Sequence, residues 1–169
     1  IAESIMLKAL TQVEVLGSAN AISFAIKGLY YYYSVDEESE NKVLIKSLAD
    51  KLVKMYQERP NSEWKWFGDS FTCSGSVIAG ALLSTWLLTG EPVYREVAVE
   101  AFEFLSSKTF KNEIINANTD NWLGYGSPLE HPADIGFYVL TLSKFYLVCK
   151  NNEYFHRMNQ AFDWFLGNN

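Results

Sequence analysis

The chain has 169 residues, of which 49% are hydrophobic and 15% aromatic, and this suits a single domain with a sizeable buried core. Acidic residues outnumber basic ones by 20 to 14, so the formal net charge is -6 and nucleic acid is disfavoured as a partner. The longest charge-free run, residues 73–90, contains Ser, Thr and Gly and indicates a buried helix, so no membrane span is predicted.

The sequence contains no secretory signal pattern. It begins at Ile1, without a Met and already in a helical pattern, which predicts a processed or trimmed product, with a signal missing from this sequence as an open alternative. Cys73 and Cys149 are far apart and lack the spacing of metal ligands. Two reduced thiols in a cytoplasmic protein are therefore predicted, with a disulfide as the alternative. The sequence predicts no metal site and no cofactor.

Apolar residues recur with helical spacing in seven segments, and strand signals are scarce. The predicted helices span residues 1–16, 19–34, 40–58, 75–89, 92–108, 133–149 and 152–166. Gly90 follows one helix, Pro92 opens the next and Gly167 closes the last, as expected for helix ends. The predicted fold class is all-α.

The predicted helices are of two alternating kinds. The first kind is apolar nearly all round and comprises residues 19–34, 75–89 and 133–149. The second kind has a charged face and comprises residues 40–58, 92–108 and 152–166. Because an all-round apolar helix must be buried on most sides, the pattern predicts inner and outer helices in alternation. Tyr30 to Tyr33, on an inner helix, are predicted to be mainly core residues, with one hydroxyl reaching a cavity as the alternative.

An internal repeat supports this alternation. The segment YREVAVEAFEFL, from Tyr94, matches YFHRMNQAFDWFL, from Tyr154, at an offset of sixty residues. The inner segments ALLSTWLLTG and LTLSKFYLVC pair in the same way. Such helix pairs predict antiparallel α-hairpin repeats in a partial or small (α/α) toroid. Residues 1–169 then form one domain of three helix pairs and a leading helix, as part of a larger toroid or chain.

Two long connections, residues 59–74 and 109–132, lead from an outer helix to the next inner helix. Because the inner helices are predicted to be parallel, both connections should lie on one rim, over helix N-termini. Indole faces pack on sugar C–H groups, and Asp and Asn side chains bond sugar hydroxyls, so a saccharide site is predicted there. The candidate ligand-binding residues are Trp64, Trp66, Phe67, Asp120, Asn121, Trp122, Tyr125 and His131.

Carboxylates in the same region raise a second hypothesis, a glycoside hydrolase or related lyase. A pair of carboxyl groups can act as general acid and base on a glycosidic bond. The candidate catalytic residues are Asp69, Glu130 and Asp134. Other interpretations stay open, since Asp134 could cap the helix that starts near Pro132, the tryptophans could fill the rim of the core, and His131 could be structural.

The stretch SEWKWFGDSFTCSGSVIAGALLSTWLLTGEPVY, followed by NWLGYG, EHPAD and AFDWFLGNN, resembles a known helical region. This is the α-toroid often found C-terminal to bacterial and archaeal glycosyltransferase domains, and the likeness covers roughly residues 20–169. The resemblance implies a toroid fold and a carbohydrate-related context. It implies no transferase activity, because the glycosyltransferase domain has no counterpart in these helical residues.

This sequence differs at polar positions from the glycosyltransferase-associated α-toroid that it resembles. Gly68 stands where the relatives have the Glu of W-F-E, and Glu130 and His131 stand where they have paired glutamines. The resemblance therefore favours sugar binding over catalysis. A third hypothesis is a non-catalytic structural or oligomerisation module, because an arc of three hairpins leaves apolar inner-helix surface that a second copy or the missing hairpins could cover.

Overall fold

The computed structural model describes residues 10–13, 15–35, 39–58, 63–71, 74–111, 114–115 and 132–168. Residues 10–13 are helical. The helices that follow are α1 (Ala19–Tyr33), α2 (Ser39–Gln57), α3 (Ser76–Thr89), α4 (Pro92–Thr109), α5 (Pro132–Cys149) and α6 (Asn152–Phe165). Two-residue strands β1 (Phe110–Lys111) and β2 (Ile114–Ile115) pair antiparallel after α4. Apart from this short pair the described fold is all-α, as predicted.

Local sequence signals account for the tight hairpin turns. Gly90 follows α3 in the left-handed conformation at φ 74°, and its N–H donates to the Trp86 carbonyl at 2.7 Å. Pro92 then begins α4, because its fixed φ suits the first helical position. Between α5 and α6, Lys150 takes the left-handed conformation at φ 55°. The Asn151 side chain accepts a hydrogen bond from the Glu153 N–H at 3.0 Å and caps α6.

The helices pack as three hairpins, and α3 lies between α1 and α5. Buried residues occur on all sides of α3, which agrees with its uncharged sequence. Hydrogen bonds join Ser76 to Thr141 and Ser84 to Lys144, so residue numbers rise in the same direction along α3 and α5. These two inner helices are therefore parallel, as predicted. Whether the hairpins belong to a toroid stays a prediction.

The outer helices α2 and α4 are joined by a polar network around Tyr94, whose ring is fully buried. The Tyr94 hydroxyl donates to Asp50 Oδ1 at 2.6 Å and accepts from Lys46 Nζ at 3.0 Å. Lys46 also donates to Glu91 Oε2 at 3.0 Å. Burial, with the hydrogen bond to Asp50, raises the pKa of Tyr94 to about 12. Tyr154, the repeat counterpart of Tyr94, is buried as well.

The hydrophobic core is continuous through the hairpins. Phe102 stacks on Phe145, with ring centroids 4.3 Å apart, and both rings are fully buried. These contacts join the outer helix α4 to the inner helix α5. Among the described helices, none has the length and apolar character needed to cross a membrane.

Candidate functional site

The aromatic segment at residues 63–67 contributes two of its rings to the core. Trp66 and Phe67 are each 1% exposed. The Trp66 ring contacts Phe71 edge-on at 5.0 Å between centroids, and Phe67 lies 5.4 Å from Tyr56. Neither ring can contact a ligand in this conformation. For these two residues the structure therefore favours core filling over the predicted ligand-binding role.

Trp64 is half-buried and shapes the same segment. Its ring packs against Phe71 at 5.1 Å and against Phe104 at 5.2 Å. Its indole Nε1–H donates to the Gly68 carbonyl at 2.6 Å. The indole N–H is thus occupied within its own loop, and the ring anchors that loop to α4.

Of the predicted catalytic carboxylates, two lie in described parts of the chain. Asp134 is half-buried, and its Oδ1 accepts from the Ser74 backbone N–H at 2.6 Å. Ser74 has a left-handed φ of 63°, so Asp134 holds the strained turn that precedes α3. This carboxylate therefore accepts a backbone N–H just before the start of α3. Asp69 is exposed to solvent.

The remaining predicted site residues lie outside the described residues, and their roles stay predictions. They are Asp120, Asn121, Trp122, Tyr125, Glu130 and His131.

A groove with a volume of about 90 Å³ lies where α1, α3 and α5 meet. Lys27 and Tyr31 line it from α1, Gly80 and Ser84 from α3, and Phe137, Thr141 and Lys144 from α5. Tyr31 was predicted to be mainly a core residue, but it is 56% exposed and lines this groove. A Cβ at Gly80 would lie 3.4 Å from Thr141 Oγ1, so the glycine lets α3 and α5 approach closely.

Side chains from α1 and α5 meet across this groove in a reciprocal arrangement. Lys27 Nζ of α1 lies 5.6 Å from the centroid of the Phe137 ring of α5. Lys144 Nζ of α5 lies 5.1 Å from the centroid of the Tyr30 ring of α1. Each cation thus packs on an aromatic ring of the opposite helix, a geometry that is attractive and fixes both ammonium groups near the groove.

Lys144 is half-buried, and its ammonium group donates to Ser84 Oγ. Ser84 in turn donates to the Gly80 carbonyl at 2.9 Å. Burial, together with the smaller effect of the positive charge of Lys27, lowers the pKa of Lys144 to about 8. Among the described residues, no carboxylate forms an ion pair with Lys27 or Lys144.

Sequence patterns did not single out this pair of lysines, although a signal was present. Lys27 is the only charged residue of α1, and Lys144 shares α5 only with Asp134. A lone lysine in each of two apolar inner helices could have indicated a shared polar site. The described parts of the chain contain no group of three His, Cys, Asp or Glu side chains that could hold a metal ion.

The comparisons with known proteins identify no relative. No protein-family model, no curated protein and no solved structure matches this chain. The likeness to the glycosyltransferase-associated toroid therefore depends on the sequence motifs alone.

Proposed function

We propose that this protein binds a saccharide in the groove between α1, α3 and α5. The observation that carries the proposal is the combination of ring surfaces and hydrogen-bond donors around one concave space. Tyr31 and Phe137 supply aromatic surface, while Lys27 and Lys144 supply ammonium donors. Sugars are recognised in this way, because their C–H faces pack on rings and their hydroxyl groups pair with polar side chains.

The second long connection contains further candidate ligand-binding residues. Residues 116–131 lead directly into α5 at Pro132, and the groove residue Phe137 follows in the first turns of that helix. Asp120, Asn121 and Trp122 therefore precede the α5 wall of the groove in the chain. They stay candidate ligand-binding residues under this proposal. Trp66 and Phe67 do not, because both rings are buried.

The proposal can be tested by glycan-array screening, followed by calorimetric titration of the glycans that bind. Tyr31→Ala removes an exposed groove ring, and Trp122→Ala removes a predicted ligand contact. We expect each variant to weaken binding about ten-fold or more, as for the loss of an aromatic contact in a binding site. Phe155→Ala is the matched control, because Phe155 is 44% exposed on α6 and does not line the groove. An absence of glycan binding, or affinities unchanged by Tyr31→Ala, would contradict the proposal.

A second candidate function is a homo-oligomerisation module. It is favoured by apolar side chains that the inner helices leave exposed: Phe24 is 41% exposed, Leu87 47%, Leu140 60% and Leu147 60%. A second copy of the chain could cover this surface. Sedimentation equilibrium over a hundred-fold range of concentration distinguishes the two ideas, because an oligomerisation module self-associates and its Leu140→Asp variant is monomeric. The wild type remaining monomeric throughout would remove this candidate.

The hydrolase hypothesis has less support. Retaining and inverting enzymes need two carboxyl groups separated by about 5 to 10 Å across the substrate. One of the three candidates, Asp134, already accepts a backbone N–H with Oδ1. No observation on the described residues favours catalysis over binding.

A further inference from the structure

The two groove lysines are unusual for their surroundings. The chain as a whole is acidic, with a net charge of -6, yet two cations line one groove without a described carboxylate partner. A half-buried ammonium group without a counter-charge is destabilising, because burial removes part of its hydration. On the outer helices, by contrast, lysines form ion pairs with carboxylates, as Lys46 does with Glu91. The groove therefore holds two positive charges that no carboxylate of the described residues neutralises.

The groups around Lys144 leave room for one further partner of opposite charge. Its ammonium group has three N–H donors, and Ser84 is the one described hydrogen-bond acceptor. From α1 it faces Lys27, Tyr30 and Tyr31, while α3 presents no titratable side chain between Ser76 and Thr89. The α6 helix contributes no described residue to the groove lining. The remaining N–H donors of Lys144 have no described acceptor within the chain and are available to water or to a ligand.

We propose that Lys27 and Lys144 together bind an anionic group, a carboxylate or a phosphate, on the ligand of this groove. The inference rests on the proposed saccharide binding for the rest of that ligand, which would be an acidic or phosphorylated sugar. A volume of about 90 Å³ is several times what one water molecule needs, and it accommodates an anionic group with part of a sugar ring. Ammonium groups bind such anions through short, charge-assisted hydrogen bonds.

Anion binding should be coupled to the protonation of Lys144. The pKa of this lysine is lowered to about 8 in the unliganded protein, by burial and by Lys27. A bound negative charge favours the ammonium form and raises that pKa again. Binding should therefore take up protons near pH 8 and weaken as the pH rises above 8, where unliganded Lys144 loses its charge.

The test is a titration of the full chain with four probes: glucose, glucuronate, glucose 6-phosphate and inorganic phosphate. Binding is followed by NMR chemical shifts, which detect millimolar affinities, at pH 7. Lys27→Met and Lys144→Met remove one cation each with little change in side-chain length. Lys42→Met is the matched control, because Lys42 is an exposed lysine of α2, which contributes no described residue to the groove. Circular dichroism verifies that each variant is folded.

We expect at least one anionic probe to bind about ten-fold or more tightly than glucose, the size of effect expected from a charge-assisted hydrogen bond. Lys27→Met and Lys144→Met should abolish this preference, and Lys42→Met should retain it. Glucuronate binding compared with glucose 6-phosphate binding shows whether the site takes a carboxylate or a phosphate. Equal affinity for anionic and neutral probes, or a preference that survives both groove substitutions, would overturn the inference.

A second measurement separates charge from packing. Lys144→Arg keeps a positive charge that does not titrate near pH 8. Glucuronate is ionised throughout the range from pH 7 to 9.5, because its carboxyl group, like the carboxyl groups of side chains, titrates near pH 4. Its affinity should fall over this range in the wild type and stay constant in Lys144→Arg. The same fall in both proteins would refute a role for Lys144 in charge recognition.

The two proposals fail in different ways. If inorganic phosphate binds in a lysine-dependent manner and no sugar binds more tightly than the free anion, the anion site stands and the saccharide proposal fails. If neutral sugars bind with affinities that are indifferent to Lys27→Met and Lys144→Met, the saccharide proposal stands and the anion site is refuted.

Discussion

Replacing Lys144 by Met should stabilise the folded protein. The pKa of Lys144 is lowered from 10.5 to about 8, so its charge is less favourable in the folded than in the unfolded chain. At about 1.4 kcal/mol for each tenfold change in the equilibrium constant, this difference corresponds to about 3 kcal/mol at most. Remaining solvent access and the lost hydrogen bond to Ser84 reduce the gain to about 1–2 kcal/mol.

The size of this stabilisation depends on pH. The penalty is complete below pH 8, where Lys144 is charged in both states, and it disappears as the pH rises toward 10.5, because the folded protein releases its proton first. The advantage of Lys144→Met should therefore be largest at pH 7 and smaller at pH 9.5. Below pH 10 the buried tyrosines, such as Tyr94 with its raised pKa, stay neutral in the folded chain of both proteins.

The measurement is urea unfolding followed by circular dichroism at pH 7 and pH 9.5, with Lys42→Met as the control for loss of a surface charge. The free energy of unfolding is obtained from the midpoint and slope of each curve. A variant that is less stable than the wild type at pH 7, or an advantage that is the same at both pH values, would show that Lys144 bears no desolvation penalty. The anion site would then lose its main energetic argument.

Substitutions at three further positions test the described packing in the same assay. Trp66→Ala should lower the free energy of unfolding by about 3–5 kcal/mol because the ring is 1% exposed, and a loss below about 1 kcal/mol would mean that the ring lies at the surface. Tyr94→Phe should cost about 1 kcal/mol, since it removes the hydroxyl that bonds Asp50 and Lys46 but leaves the ring in place, and an unchanged midpoint would show the network to be without net effect. Asp134→Ala should lower the free energy of unfolding by about 1–2 kcal/mol, because it leaves the Ser74 N–H without its acceptor. Asp134→Asn keeps an acceptor oxygen and should lower it less. Equal losses in the two variants would contradict the role of Asp134 as the acceptor for Ser74.

The helices could be predicted from the sequence because their signals are local. Apolar periodicity, with Gly90 and Pro92 as signals of helix ends, predicts six helices. Each predicted end lies within one residue of the end of that helix in the structure. The first predicted helix, residues 1–16, falls mostly outside the described residues, which include only residues 10–13 and 15–16 of it. The short strand pair that begins at Phe110 was not predicted, because two-residue strands leave no periodic pattern.

The candidate site was harder to predict because it depends on contacts between distant segments. Periodicity assigns a face to a helical residue but gives no direction to a ring in a connection, so the burial of Trp66 did not follow from its sequence. Lys27 and Lys144 are separated by more than a hundred residues in the chain, and only the packing of α1 and α5 on α3 brings them to one groove. Saccharide binding at residues 120–131 stays a prediction.

The hydrogen bond between Asp134 and Ser74 has a mechanical consequence. It links the first turn of α5 to the backbone at Ser74. The second long connection ends at the start of α5, and the first long connection ends at Ser74. A ligand that displaces the start of α5 must therefore either break this hydrogen bond or move the backbone that precedes α3. Amide hydrogen exchange at residues 74–78 should consequently change when the start of α5, more than fifty residues further along the chain, is displaced. In Asp134→Ala, exchange at residues 74–78 should no longer respond to such a displacement.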